Sequence, residues 1–232
     1  MISFFARIFF LGWLLSGTVV SGTPADWIPS PVVVVAENVN VSVGESASLV
    51  VGRYWYQYVA KLDDKVSPRI AIYYAIFVPS GTTSAKDLIE TSAVKLMLGE
   101  KVFYPETARL LTDEETGPLQ AAPKDASVAW FIFQIPRELA KLRFDVLISH
   151  FQPHSLYDHK TITAYLPWLP ELEAQRRDLE IFDKDLVITF EALPDVKLQL
   201  ESVNSKVETK TATQIVVHPL HWENIAVAVG KK

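Results

Sequence analysis

Three histidines, His150, His154 and His159, fall within ten residues, and Asp145 and Asp158 stand beside them. Neutral imidazole and carboxylate are standard ligands for zinc and similar divalent ions. Ligands from a strand end and from the loop after it can converge on one ion. His150, His154, His159 and Asp158 are the set that would do so here. The competing reading is that these are surface histidines in loops. His-x3-His is a helical spacing, whereas this region reads as a strand followed by a loop. His218 and His221 form a second pair, with Glu223 nearby.

Aromatic side chains supply the second candidate chemistry. In the stretch Leu49 to Val59, Tyr54, Tyr56 and Tyr58 share one face of a strand, and Arg53, Trp55 and Gln57 share the other. Exposed aromatic faces stack on sugar rings and serve as hot spots in protein interfaces. Three tyrosines on one face suit a half-exposed sheet surface. Trp168, in Pro167-Trp168-Leu169-Pro170, is the tryptophan expected to be most exposed. Tyr54, Tyr56, Tyr58 and Trp168 are therefore the candidate binding residues, for a protein or a carbohydrate. Trp55 and Trp130 are expected to fill the core.

Catalytic signatures are poor. Ser92-Ala93-Val94-Lys95 matches Ser-x-x-Lys, in which the lysine would deprotonate the serine. That chemistry places the serine at a helix start, with Ser-Asp-Asn and Lys-Thr-Gly elements behind it. Ser-Asp-Asn is absent, and Lys210-Thr211 is followed by Ala212. The chain contains no Gly-x-Ser-x-Gly elbow, phosphate loop, dinucleotide fingerprint or His-Glu-x-x-His. A hydrolase built on two carboxylates needs only their separation in space, which spacing along the chain does not reveal. The expectation is a protein without catalytic activity or obligatory cofactor.

Composition narrows the setting. Residues 1–22 carry Arg7, an apolar stretch from Ile8 to Val20 and a small-residue exit at Ser21-Gly22, the pattern of a secretory signal peptide. The apolar stretch is short for a membrane span of about 20 residues. After it, no apolar run reaches that length, so no stable membrane span is expected once the leader is cleaved. Loss of Arg7 takes the net charge from −5 to −6. That balance offers no electrostatic footprint for nucleic acid, which needs clustered Lys and Arg. There is no cysteine, which excludes disulfides, thiolate metal sites and cysteine nucleophiles. A long, cysteine-free exported chain fits a bacterial periplasmic or cell-surface protein.

The elements that must position these groups are mostly strands. Val32–Val35, Val39–Val43, Leu49–Val59, Leu142–His150, Leu186–Ala192 and Val196–Glu201 alternate with a period of two. Arg69–Val78 and Val128–Ile135 are almost continuously apolar, as strands covered on both faces are. Such strands leave no polar lumen face, which argues against an outer-membrane barrel. Gly99-Glu100 reads as a two-residue hairpin turn. Residues 105–127 form a long acidic loop, or a short helix at Glu106–Leu111 with a tail, and Glu171–Phe182 is the one convincing helix. The expected fold is all-β: one domain over 23–232, an immunoglobulin-like β-sandwich of nine or ten strands. The expected function is an exported, non-catalytic envelope protein that binds a protein partner or self-assembles. The alternative is a module that binds carbohydrate or a His-coordinated metal ion.

Overall fold

The computed structural model describes residues 32–58, 68–79, 84–112, 126–157, 159–165, 186–201, 206–219 and 225–232. The leader at 1–22, Trp27, Asp158, Trp168, the helix expected at 171–182 and the group His221, Trp222 and Glu223 lie outside the described residues, as do residues 113–125 of the acidic loop.

Fifteen strands and one α-helix are described. In chain order they are β1 (Val32–Val43), β2 (Ala47–Tyr58), β3 (Arg69–Pro79), α1 (Ala85–Ser92), β4 (Lys95–Leu98), β5 (Lys101–Phe103), β6 (Thr107–Leu110) and β7 (Ala126–Pro136). A 3-10 turn at Arg137–Leu139 then leads to β8 (Arg143–Pro153), β9 (Ser155–Tyr157), β10 (Lys160–Tyr165), β11 (Leu186–Ala192), β12 (Val196–Leu200), β13 (Lys206–Lys210), β14 (Gln214–His218) and β15 (Ile225–Lys231). They form an eight-stranded sheet ordered β13-β14-β11-β1-β2-β8-β4-β5, a four-stranded sheet β12-β15-β10-β9 and a three-stranded sheet β3-β7-β6.

The alternating sequences make the half-buried strands. Along β2 every second residue from Ser48 to Tyr58 is buried, and along β8 the same holds from Phe144 to Gln152. β-Branched and aromatic side chains pack well on such pleated, half-covered surfaces. The inward faces of β1, β2, β8, β11 and β14 meet β3, β7, β10, β12 and β15 in one core, in which Val34, Phe131, Phe133, Ile148, Ile188 and Phe190 are fully buried. The two continuously apolar strands, β3 and β7, pair over their whole lengths, Arg69 with Pro136 through Pro79 with Ala126. Their second face is buried too, in a smaller cluster where Tyr73 stacks on Trp130 at 5.0 Å.

Local chemistry sets the turns. Gly99 sits at φ 60° in the β4–β5 hairpin, the left-handed region open to glycine, so the expected two-residue turn is present. α1 begins at Ser84, whose Oγ accepts the Asp87 backbone N–H at 3.0 Å. The hydroxyl of Thr211 accepts the backbone N–H of Gln214 at 2.9 Å and turns β13 into β14.

The fold is mainly β, as expected, but it is not specifically an immunoglobulin sandwich: it comprises three open sheets rather than two. The described strands outnumber the nine or ten expected, in part because β6 and β9 are three or four residues long, too short to show periodicity. The stretch expected as one strand from Val207 to Val217 is two, folded at Thr211. Val32–Val35 and Val39–Val43 are one strand, carried across Ala36–Asn38 by a bulge between Val34 and Ala36. Glu106–Leu111 is not a helix, because Thr107–Leu110 pairs with β7. The helix α1 was hidden by its length of eight residues.

Replacing Phe131, fully buried between the sheets, with alanine is expected to cost about 3–5 kcal/mol in urea denaturation. The exposed Leu147, replaced in the same way, is expected to change stability by no more than about 0.5 kcal/mol.

Candidate functional site

Tyr54, Tyr56 and Tyr58 do share a face, and that face points into the core: they are 3%, 4% and 7% exposed. The half-exposed tyrosine surface is therefore corrected. The reason lies in the layers, because the inward side of β2 is the side covered by the other two sheets. Tyr56 stacks on Phe144 at 5.4 Å, and Tyr58 tilts against the same ring at 6.4 Å.

Tyr54 is the centre of a buried polar chain. Its hydroxyl lies 3.1 Å from that of Tyr74 on β3 and 2.9 Å from that of Tyr165 on β10. The Tyr165 hydroxyl lies 3.0 Å from the Glu37 carboxylate on β1. At the other end the Tyr74 hydroxyl lies 3.1 Å from His150 Nδ1 on β8, and His150 Nε2 lies 3.3 Å from Gln152 Oε1. Gln152 in turn donates its Nε2–H to the Ala164 carbonyl, which fixes the orientation of its amide. Gly52 makes room for this arrangement: a Cβ there would stand 2.5 Å from the Tyr54 hydroxyl.

Counting hydrogens constrains the protonation of the chain. Gln152 Oε1 only accepts, so His150 Nε2 must donate and, in a neutral ring, Nδ1 accepts. Burial pushes His150 down from 6.5 to about 4, so the ring is neutral at neutral pH. Three hydroxyls and one imidazole N–H then supply four hydrogens to five links. Tyr165 donates to the Glu37 carboxylate and Tyr74 to His150 Nδ1, so Tyr54 has a single hydrogen to share between its two hydroxyl neighbours. Burial also raises Tyr54, Tyr74 and Tyr165 above the ordinary phenol value, so all three remain hydroxyls.

The expected metal set is not assembled among the described residues. His150 is 2% exposed and occupied by Tyr74 and Gln152. His154 turns its Nε2 to the Ser48 hydroxyl at 3.0 Å, which also meets Thr163 at 2.9 Å. Burial holds His154 below the usual imidazole range. His159 is exposed, at φ 62° in the turn between β9 and β10. No three His, Asp or Glu side chains among the described residues are placed to hold one ion. The register explains the separation of the histidines: His150, at the end of the expected strand, points inward, and β8 runs on to Pro153 where a loop was expected.

The outward side of the eight-stranded sheet carries two further features. Trp55, expected in the core, lies half-buried on this side, with the Arg53 guanidinium 5.5 Å from its ring centre and Arg53 bound to Asp145 at 2.7 Å. Trp130 is fully buried, as expected. Beside Trp55, where β11 begins to pair with β1, opens a cleft of about 490 Å³ lined by Glu37, Asn38, Trp55, Gln57, Arg143 and Val187, among others. Along the same face, Leu49 pairs across to Phe151, Met97 to Leu147 and Met97 to Val102. Of these, Leu49, Phe151, Leu147 and Val102 are exposed, as is Val51, giving an apolar band over four neighbouring strands.

With this geometry in view, no protein-family model matches the chain, and comparison with curated proteins finds no match.

Two outcomes are expected. Gly52→Ala is expected to cost about 1–3 kcal/mol in urea denaturation, and to be non-additive with Tyr54→Phe because both act on one hydroxyl. For His150 the folded value lies below the unfolded one, so between 6.5 and about 4 the unfolded chain takes up a proton that the folded chain refuses. Its contribution to stability is intact above that window and falls on acidification, at up to about 1.4 kcal/mol per pH unit. Denaturation midpoints across that range should show a shallower slope in His150→Gln.

Proposed function

We propose that this is an exported, non-catalytic envelope protein that docks a partner protein on the outward face of its eight-stranded sheet. The observation that carries the reading is the exposed apolar band of Leu49, Val51, Leu147, Phe151 and Val102. Contiguous apolar surface of this kind marks interaction sites rather than ordinary solvent-facing sheet. The band lies across an open sheet face over four neighbouring strands, which suits a protein face better than a small molecule. Its border carries both signs, Lys95 on β4 and the Arg53–Asp145 pair, where an anionic membrane surface would call for a basic rim.

Strand addition at the edges of the eight-stranded sheet is disfavoured as the binding mode. The edge strand β13 is exposed, holds Lys206 and Lys210 and is bulged between Val207 and Thr209, while the opposite edge, β5, has three residues. Edge lysines, bulges and short strands are the devices that block edge-to-edge pairing. On the eight-stranded sheet the outward face is then the surface left for recognition.

A photo-crosslinking side chain placed at Phe151, with one at Glu90 on α1 as control, tests the reading in the native exported fraction. The expected result is one discrete adduct with a different protein, formed from position 151 and absent from position 90. An adduct with a second copy of the same chain would replace partner binding by self-assembly. No adduct from position 151 would remove the face as a docking site.

A further inference from the structure

We infer that the cleft beside Trp55 is a carbohydrate site that takes a neutral sugar ring. It stands apart from the apolar band, toward the Tyr58 end of β2's outward row, and it differs from the band in both shape and chemistry. The band is an open sheet face whose side chains, Phe151 apart, are aliphatic. The cleft is concave, and its volume of about 490 Å³ falls in the range of small-molecule sites.

Its lining has the two components that sugar recognition requires. One is an aromatic surface, since the C–H faces of a pyranose pack on aromatic rings, and Trp55 supplies it. Trp55 is also oriented before any ligand arrives. Arg53 lies over its ring and is itself tied to Asp145. A preoriented platform reduces the ordering cost of binding. The other component is a set of planar polar groups that can each meet two neighbouring hydroxyls. Asn38 and Gln57 bring amides, and Arg143 brings a guanidinium.

Charge selects among sugars. The ionisable groups in the lining are Glu37 and Arg143. Arg143 is exposed, whereas Glu37 is 5% exposed and its carboxyl is engaged by Tyr165. One carboxyl and one guanidinium give no excess of positive charge with which to hold a uronate or a sugar phosphate. An uncharged polyol, which uses the amides and the guanidinium as hydrogen-bonding groups, matches the lining.

The bulge in β1 builds the site. The register shift between Val34 and Ala36 frees Val35 from pairing across to β2, and among the described residues parallel pairing of β1 with β11 starts at Glu37. Among the described residues the sheet therefore has a gap at this corner. Bulges that re-aim side chains next to binding sites are a recurrent device.

The experiment is titration of the mature chain with cellotriose, maltotriose and the trimer of N-acetylglucosamine, with a galacturonate trimer as the acidic comparator, followed by calorimetry and tryptophan fluorescence. At least one neutral trisaccharide should bind. Trp55→Ala and Gln57→Ala should each weaken that binding by roughly tenfold, with the thermal midpoint unchanged, and Leu147→Asp should leave it intact. Absence of binding by all three neutral sugars would overturn the proposal. So would equal affinity in Trp55→Ala, which would place the sugar elsewhere. Binding of galacturonate alone, lost in Arg143→Ala, would overturn the neutral class. None of these results bears on crosslinking from Phe151, so the two readings stand or fall separately.

Discussion

The three sheets meet on a line of hydroxyls. Glu37, Tyr54, His150 and Gln152 come from the eight-stranded sheet, Tyr74 from the three-stranded one and Tyr165 from the four-stranded one. Hydrophobic burial brings the layers together without fixing how they sit, because apolar contacts are non-directional. Hydrogen bonds between buried groups are directional, and an unpaired one in this interior is costly. Sliding any sheet by one residue would break several links at once. The polar chain thus sets the register between layers, while the surrounding valines, isoleucines and phenylalanines supply the bulk of the stabilisation.

β2 links this interior to the exterior. Its inward row holds Tyr54, Tyr56 and Tyr58, and its outward row runs Leu49, Val51, Arg53, Trp55 and Gln57. Because the strand is central in its sheet and paired along its length to both β1 and β8, both rows are held firmly. A surface presented on such a strand is rigid, which suits recognition of a flat partner at one end and of a small ring at the other. The cleft and the polar chain also share Glu37, so the carboxyl that ends the chain lies at the boundary between core and solvent.

Much of this was legible in the alternation. The strand runs at Leu49–Val59, Arg69–Val78, Val128–Ile135, Leu142–His150 and Leu186–Ala192 and the Gly99 hairpin all follow from period and turn chemistry. What alternation does not tell is which face is inside. The tyrosine row and the Arg53-Trp55-Gln57 row are equally regular, and only the position of the other sheets decides between them. Glu37 did carry a signal: it is in phase with Val39, Val41 and Val43, and so shares their inward face. The bulge at Val35 breaks the phase just before it, which makes Val32–Val43 look like two strands and Glu37 like part of a connection. His150 and Gln152 likewise continue the phase of Phe144, Val146 and Ile148. The polar stretch from Gln152 onward suggests a loop, because the groups that satisfy His150 and Gln152, the Tyr74 hydroxyl and the Ala164 carbonyl, come from other strands.

The parallel pairing of β1 with β11 has a consequence for how the chain reaches this state. Glu37 to Val43 must wait for Leu186 to Ala192, which the ribosome makes far later. Until then β1 offers one paired side, to β2, and one bare edge along a valine-rich strand. Antiparallel neighbours such as β1–β2 and β4–β5 close early over short loops, whereas this contact must close nearly the whole domain and sets a high contact order. The middle of the eight-stranded sheet is therefore the seam between an early-made part, β1, β2, β8, β4 and β5, and a late-made one, β11, β13 and β14. During that interval the half-made protein carries an open, sticky edge of the kind that chaperones cover.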